Sequence, residues 1–254
     1  MLRSRVIPCL LVRNKGLVKT VKFKDSKYVG DPLNAVKIFN EKEVDELMIL
    51  DIDATVEDRS PDFEMIKNVA IESHMPLCYG GGIKTVEQAK KIISLGAEKV
   101  AISSAAVMDK HLISRIANAV GIQSVVVVID VKEVGIFKNY EVVINNAQKK
   151  TGLNPVEFAK YCEQEGTGEI VINSVDRDGM MNGYDEKLID SIRNAITTPL
   201  TVLGGAGTLD DMKKMVHKYG TIGVAAGSMF VFKGRYKAVL INYPMNDEKK
   251  FILK

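Results

Sequence analysis

Asp130 closes an unbroken apolar run, Val125-Val126-Val127-Val128-Ile129. A carboxylate at the end of a buried strand has two uses. It exchanges protons with a substrate, or it pairs with a nearby cation such as Lys19. A second acidic group, Asp176-Arg177-Asp178-Gly179, follows the apolar run Glu169–Ser174. Asp130 and Asp178 are the candidate catalytic acids, and Lys19, Asp53 and Asn173 are candidates for holding substrate. For each of these acids, Asp130, Asp53, Asp176 and Asp178, a solvated loop acid or a helix cap is the competing reading.

Two glycine-rich segments could hold an anion. Tyr79-Gly80-Gly81-Gly82-Ile83-Lys84-Thr85 returns half a chain later as Leu203-Gly204-Gly205-Ala206-Gly207-Thr208. Without side chains, Gly81, Gly82, Gly205 and Gly207 let backbone N–H groups approach a phosphate. Each segment leads through a helical pattern to a second apolar run ending in small residues: Ile102-Ser103-Ser104-Ala105, then Ala226-Gly227-Ser228. Ser104, Gly227 and Ser228 add donors at those ends. A small ligand bearing phosphate is the functional reading; tight strand-to-helix turns are the structural one.

Such recurrence marks a duplicated half-protein. It also exposes a mismatch. Val6-Ile7-Pro8-Cys9-Leu10-Leu11 matches Val126-Val127-Val128-Ile129-Asp130, so Leu11 stands where the second half carries an acid.

Those residues need strand ends to present them. Eight short apolar runs alternate with helical patterns: Val6–Val12, Glu46–Ile52, Pro76–Tyr79, Lys99–Ser103, Ser124–Val131, Glu169–Ser174, Leu200–Leu203 and Gly223–Ala226. Runs without polar alternation indicate strands buried on both faces, as in a parallel sheet covered by helices. Helices are expected over Asp31–Asn40, Thr85–Leu95 and Asn154–Glu165, the last with Pro155 at its first position. Eight strands and a half-chain repeat indicate a (β/α)8 TIM barrel spanning 1–254 as one domain. No Gly-x-Gly-x-x-Gly opens a helix, which weighs against dinucleotide binding. Lys132–Lys150 makes a long excursion, where a hairpin pairing Val134–Phe137 with Tyr140–Ile144 fits. The charged tail Asn246–Lys254 is expected to be loosely held.

Composition narrows the class further. A net charge of +3 with 26% charged residues gives no strong field for nucleic acid. Cys9, Cys78 and Cys162 form no Cys-x-x-Cys pair, which indicates reduced thiols and no zinc site. His74, His111 and His217 have no metal-pair spacing, so no metal or cofactor is expected. The start, Met1-Leu2-Arg3-Ser4-Arg5, lacks a signal-peptide pattern, and no apolar run approaches the roughly 20 residues of a membrane span. A cytoplasmic location without membrane contact is expected.

The opposite ends of the strands also carry charge. Arg5, Glu46, Lys99 and Glu169 each precede an apolar run. Spacing alone reads them as surface residues at strand edges. Pointing inward, they would have to pair, because an unpaired buried charge costs several kcal/mol.

Taken in order, IPCL (Ile7–Leu10), Gly30-Asp31-Pro32, DELMILDI (Asp45–Ile52), YGGGIKT (Tyr79–Thr85), SSAAV (Ser103–Val107), NSVDRDG (Asn173–Gly179), Gly183-Tyr184-Asp185 and GGAGT (Gly204–Thr208) resemble HisF, the cyclase subunit of imidazole glycerol phosphate synthase. The resemblance runs from about Arg3 to Phe232. It implies a barrel that partners a HisH-like glutaminase, takes ammonia in at its floor and uses it at the top. Arg5, Glu46, Lys99 and Glu169 fall on the family's floor gate. Phosphate contacts fall around Gly82, Ser104, Gly205 and Ser228, and Asp130 gains an acid–base role.

One departure stands out. HisF enzymes carry aspartate where this chain has Leu11, and leucine cannot transfer a proton. Ser103-Ser104 and Asp53 also depart from the family's usual Asn-Thr and Thr. With CLLV (Cys9–Val12), LVKTVKFK (Leu17–Lys24) and the segment Ala225–Pro244, the pattern resembles the WbuZ-type glycosyl amidation proteins of the HisF-like group. That resemblance implies delivery of ammonia to a sugar amidotransferase that forms an acetamidino group on a surface polysaccharide. A cyclase of histidine biosynthesis and a scaffold that only activates a glutaminase are the two alternatives.

Overall fold

A computed structural model describes residues 3–253; the readings at Met1, Leu2 and Lys254 lie outside them. Eight strands form the barrel: β1 (Arg5–Arg13), β2 (Leu47–Asp51), β3 (Leu77–Gly80), β4 (Lys99–Ile102), β5 (Val125–Val134), β6 (Glu169–Ser174), β7 (Leu200–Leu203) and β8 (Gly223–Ala226). Each pairs in parallel with the next, and β8 closes on β1 through Arg5 opposite Gly223 and Ile7 opposite Ala225. The chain is a closed (β/α)8 barrel.

Strand pleating separates two cores, since alternate side chains point to opposite faces. On β5 the outward set, Val125, Val127 and Ile129, packs with Phe158, Ile189 and other residues of the helical layer. The inward set, Val126 and Val128, packs with Ile7, Cys9, Met48, Cys78, Ala101, Val171, Leu203 and Ala225. Both faces are apolar, so the sequence shows a continuous run. Burying each large aliphatic side chain contributes roughly 1.5–3 kcal/mol, and the double layer makes these strands the stable frame.

Helix starts reproduce the sequence repeat. Thr85 accepts from Gln88 N, and Gln88 returns the bond at the head of helix Val86–Ser94. Thr208 and Asp211 do the same at helix Leu209–Tyr219. Each reciprocal cap satisfies two otherwise orphan N–H groups. The expected helices at Asp31–Asn40 and Asn154–Glu165 run over Pro32–Glu41 and Pro155–Gln164, capped by Asp31 and Asn154.

Three segments differ from expectation. The excursion after β5 has no separate first arm: β5 continues to Val134 and pairs antiparallel with Asn139–Ile144, leaving residues 135–138 as the turn. The tail is no loose end. Asn246–Leu253 is a helix, with Ile252 fully buried among the core residues. An unforeseen hairpin, Gly16–Val21 with Lys24–Gly30, follows β1 and pairs back onto it at Leu11 opposite Val18. This hairpin carries Lys19 and Thr20 to the barrel mouth.

Candidate active site at the carboxyl ends of the strands

Inward residues of each strand form vertical series. On β1 the series is Arg5, Ile7, Cys9, Leu11; on β5 it is Val126, Val128, Asp130; on β6 it is Glu169, Val171, Asn173. The lower ends are charged, the middle is apolar, and the upper ends line a cavity at the mouth.

At the floor the four charges do point inward. Arg5 pairs with Glu46 and, at 2.9 Å, with Glu169. Lys99 Nζ lies 2.8 Å from both glutamates. Thr201, which the sequence reading did not single out, donates its hydroxyl to Glu169. It stands beside Val171 in the sheet, so strand register was the available signal. Burial pushes the Glu169 carboxyl up, but Arg5 and Lys99 outweigh it and hold the group below the ordinary range. For Arg5 and Lys99 burial acts downward and the glutamates reverse it, leaving both raised. Lone buried charges would be untenable; the closed set satisfies each.

The mouth cavity is lined by Leu11 and Leu50 on one side and by Ser103, Asp130 and Asn173 on the other. Leu11 and Leu50 are direct partners across β1 and β2. Asn173 Nδ2 donates to Asp130 at 2.9 Å, and Ser103 Oγ donates at 3.4 Å. Burial pushes the Asp130 carboxyl up to about 7, against the lowering effect of those two bonds. A group titrating there can release or take up a proton near neutrality, which suits acid–base work.

Lys19 does not pair with Asp130. Its Nζ reaches Asp178 Oδ1 at 2.5 Å, and Thr20 Oγ1 donates to Asp178 Oδ2 at 2.8 Å. All three residues lie on the cavity wall. Thr20 was missed because it sits on the unforeseen hairpin. Asp53 stands away from the lining: Arg13 binds its two oxygens at 2.8 and 2.9 Å, and Asp51 lines the cavity instead. Asp53 is thus an ion-pair partner, and like its repeat-mate Asp176 it lies outside the lining, beside the extension of the preceding strand. Asp176 accepts from Glu133 N at 2.8 Å and serves the β5 hairpin.

Gly81, Gly82, Ser104, Gly205, Gly227 and Ser228 all border the cavity. Gly81 and Gly205 have φ values of +114° and +111°, which favour glycine. A Cβ on Gly205 would fall 2.2 Å from Gly183 O, so close backbone approach also requires glycine there. Ser104 and Ser228 begin helices Ser104–Met108 and Ser228–Val231, where first-turn N–H groups have no intrahelical acceptor. Gly207 does not belong to the set. Its N–H donates to Asp211 at 2.9 Å in the Thr208 cap, and it is absent from the lining. Asn145 and Asn146, on the turn after Ile144, also border the cavity and were not foreseen.

Among the described residues no group of three or more His, Cys, Asp or Glu is placed to hold a metal, and no helix is long and apolar enough to cross a membrane. Cys9, Cys78 and Cys162 are free and buried.

Fold and site define a class: a (β/α)8 barrel with a ring of paired charges closing its floor and an acid-bearing, glycine-rimmed cavity at its mouth. A family profile described as "Histidine biosynthesis protein" matches residues 5–237, and the chain belongs to that family. It is 55% identical over 254 residues to a protein of Vibrio vulnificus provisionally named imidazole glycerol phosphate synthase subunit hisF3, covering 100% of this chain and 98% of that protein. It is 52% identical over 244 residues to the Pseudomonas aeruginosa protein provisionally named subunit hisF2, covering 96% and 97%. Against imidazole glycerol phosphate synthase subunit HisF of Natranaerobius thermophilus it is 39% identical over 243 residues, covering 96% of each. The chain is a HisF-like subunit.

Proposed function

We propose that this barrel conducts ammonia from a HisH-like glutaminase docked at its floor to an acceptor at its mouth, with cyclase chemistry lost or altered. One observation carries the reading. The floor keeps Arg5, Glu46, Lys99 and Glu169 as a complete paired set, while at the mouth Leu11 stands opposite Asp130 in the position that the second half fills with an acid. Between them runs a wholly apolar interior, suited to a small neutral molecule. Asp130 and Asp178 are the acid–base candidates, Lys19 and Asn173 position the ligand, and the glycine and serine rims hold phosphate. The finer assignment is amidation: ammonia passes to a sugar amidotransferase that forms an acetamidino group on a surface-polysaccharide sugar.

The names of the relatives favour a second reading, a working cyclase in histidine biosynthesis. Asp130, Lys19 and Asp178 would then carry the chemistry without a second strand-end acid. Supplying the HisF substrate with ammonium salt separates the two. Conduction without cyclisation predicts little or no imidazole product; formation at the rate of ordinary HisF proteins makes the chain a cyclase. Conduction itself is tested with the glutaminase, by following whether ammonia made from glutamine reaches bulk water. Failure of the two chains to associate would end the conduit reading.

A further inference from the structure

Two hairpins stand side by side at the upper rim: Gly16–Val21 with Lys24–Gly30, and Phe232–Lys233 with Ala238–Val239. Lys27 joins them. Its Nζ donates to Lys237 O at 3.4 Å and lies 5.2 Å from the centre of the Phe232 ring. Together they carry Lys22, Lys24, Lys27, Lys233, Arg235 and Lys237 against one acid, Asp25, and all seven are exposed. Among the described ion pairs none includes any of these six cations. The whole chain has a net charge of only +3, so the rest of the molecule is net acidic. The basic field is therefore local.

Lysines alone commonly mark a solvated face. Here they surround exposed apolar surface. Tyr28 is 65% exposed and Tyr236 is 90% exposed, with Val239 and Leu240 beside the second hairpin's end. Tyr28 is braced from below: a Cβ on Gly16 would come within 2.8 Å of its ring. A fixed aromatic group loses little conformational entropy when covered, and tyrosine within a charged rim is a common interface pattern. The first hairpin also places Lys19, Thr20 and Phe23 on the cavity wall, so whatever covers its outer side stands at the mouth.

We propose that this rim docks the acidic face of a second protein, the enzyme that receives ammonia at the mouth; the inference rests on the conduit reading above. A small anion is a poor occupant, because these side chains are exposed and spread over two hairpins, the second of which has open space around its turn glycine, Gly234. A bilayer would meet the same charges but offers no electrophile over the mouth. Complementary charge speeds encounter and selects partners, and exposed pairs weaken with salt.

The test begins with a photocrosslinking amino acid at Tyr236 of the full-length chain in its native host. The same probe at Ile71, 69% exposed on helix Phe63–Glu72, is the control. The expected result is a product formed from Tyr236 and not from Ile71, attached to an Asp/Glu-rich segment of an enzyme that consumes ammonia. With that enzyme purified, Lys233→Glu/Lys237→Glu should weaken binding by about tenfold or more, and raising sodium chloride from about 50 to 300 mM should weaken the parent several-fold. No product above the control, attachment to a non-acidic segment, or salt-independent binding overturns the proposal. Sedimentation with phosphatidylcholine vesicles containing about a third phosphatidylserine tests the other class of partner: binding that the charge reversals abolish makes the rim a membrane surface and overturns the protein reading. Glutaminase association is measured in parallel. If it persists while nothing docks at the rim, only this inference fails; if it is absent, the conduit reading fails.

Discussion

Floor and mouth of the barrel are built from the same strands to opposite ends. At the floor every carboxylate oxygen of Glu46 and Glu169 accepts from Arg5, Lys99 or Thr201. At the mouth, Asp130 has two neutral donors and, among the described residues, no cationic partner, because Lys19 is committed to Asp178. A saturated charge set opposes change, so it holds shape until something displaces a member. A carboxyl without a cation is free to exchange its proton. The floor thus fits a seal and the mouth a reactive or receiving chamber, and Leu11 makes that chamber one-sided.

The largest expected effect lies in chemistry. If the facing acids act as a pair in cyclisation, a barrel with Leu11 should turn over the HisF substrate about 10²- to 10⁴-fold more slowly than barrels having both. Steady-state imidazole formation from that substrate and ammonium salt measures it. Leu11→Asp should recover part of the rate. A parent rate equal to that of two-acid barrels would show that the asymmetry has no catalytic meaning.

Breaking the floor should cost stability next. Removing one member of a dry buried charge set destabilises by about 3–5 kcal/mol. Arg5 and Lys99 side chains keep 16% and 17% exposure, so the lower part of that range is expected for Lys99→Ala and for Glu169→Ala. Urea unfolding at pH 7 reads the loss. The depressed Glu169 carboxyl contributes stability above its unfolded titration and loses it as pH falls; the raised Lys99 contributes below its unfolded titration and loses it as pH rises. The parent's advantage over either variant should therefore be greatest between those limits. With the glutaminase bound, the variants should also release more ammonium to bulk per glutamine consumed. Unchanged unfolding together with unchanged release would remove the floor from the account.

How far the two ends could be read from sequence differs for a physical reason. Asp130 was legible because polarity changes abruptly after five apolar residues. The paired glycine segments were legible because the duplication repeats them. From spacing alone the floor was not, because strands buried on both faces hide which way Arg5 or Lys99 points and only barrel closure brings four strand starts together; the resemblance to HisF is what grouped Arg5, Glu46, Lys99 and Glu169 there. The hairpin after β1 escaped notice because its buried polar pair, Lys19 and Thr20, interrupts the apolar pattern that marks a strand. The tail was misjudged from its charge: one face of helix Asn246–Leu253 is enough to dock it through Ile252. Gly207 and Asp53 follow the repeat but not the cavity, since a helix cap takes one and Arg13 takes the other.

A smaller effect separates the two ends by pH. Asp130 titrates at about 7 in the fold and near 3.8 outside it. The folded state then binds the proton more tightly, so this group's contribution to stability declines as pH rises from about 4 to 7 and stays low above. This is opposite in sign to Glu169 at the floor. Asp130→Asn should leave stability unchanged near pH 4 and raise it by about 1–2 kcal/mol at pH 8, less than the full linkage value because the carboxyl borders an open cavity. Paired urea curves at the two pH values decide it; equal differences at both would mean the carboxyl is solvated.

The smallest effect concerns anions, which should bind the mouth and leave the floor alone. Gly81, Gly82 and Ser104 face the cavity from one half, Gly205, Gly227 and Ser228 from the other, and backbone donors depend little on side-chain drift. Millimolar affinity for inorganic phosphate would stabilise the chain by about 1.4 kcal/mol at ten times the dissociation constant. Thermal unfolding in phosphate against chloride at matched ionic strength measures this, since a nonspecific salt effect is then common to both. Ser104→Ala and Ser228→Ala should each remove the part of the shift that one hydroxyl supplies, and the double variant both parts, because each serine serves a different half; the backbone donors keep the remainder. Glu169→Ala, at the far end of the barrel, should lower the melting point while leaving the phosphate increment intact. A phosphate increment that disappears with the floor variant, or that the double serine variant leaves wholly unchanged, would place the anion elsewhere and dissolve the division of labour between the ends.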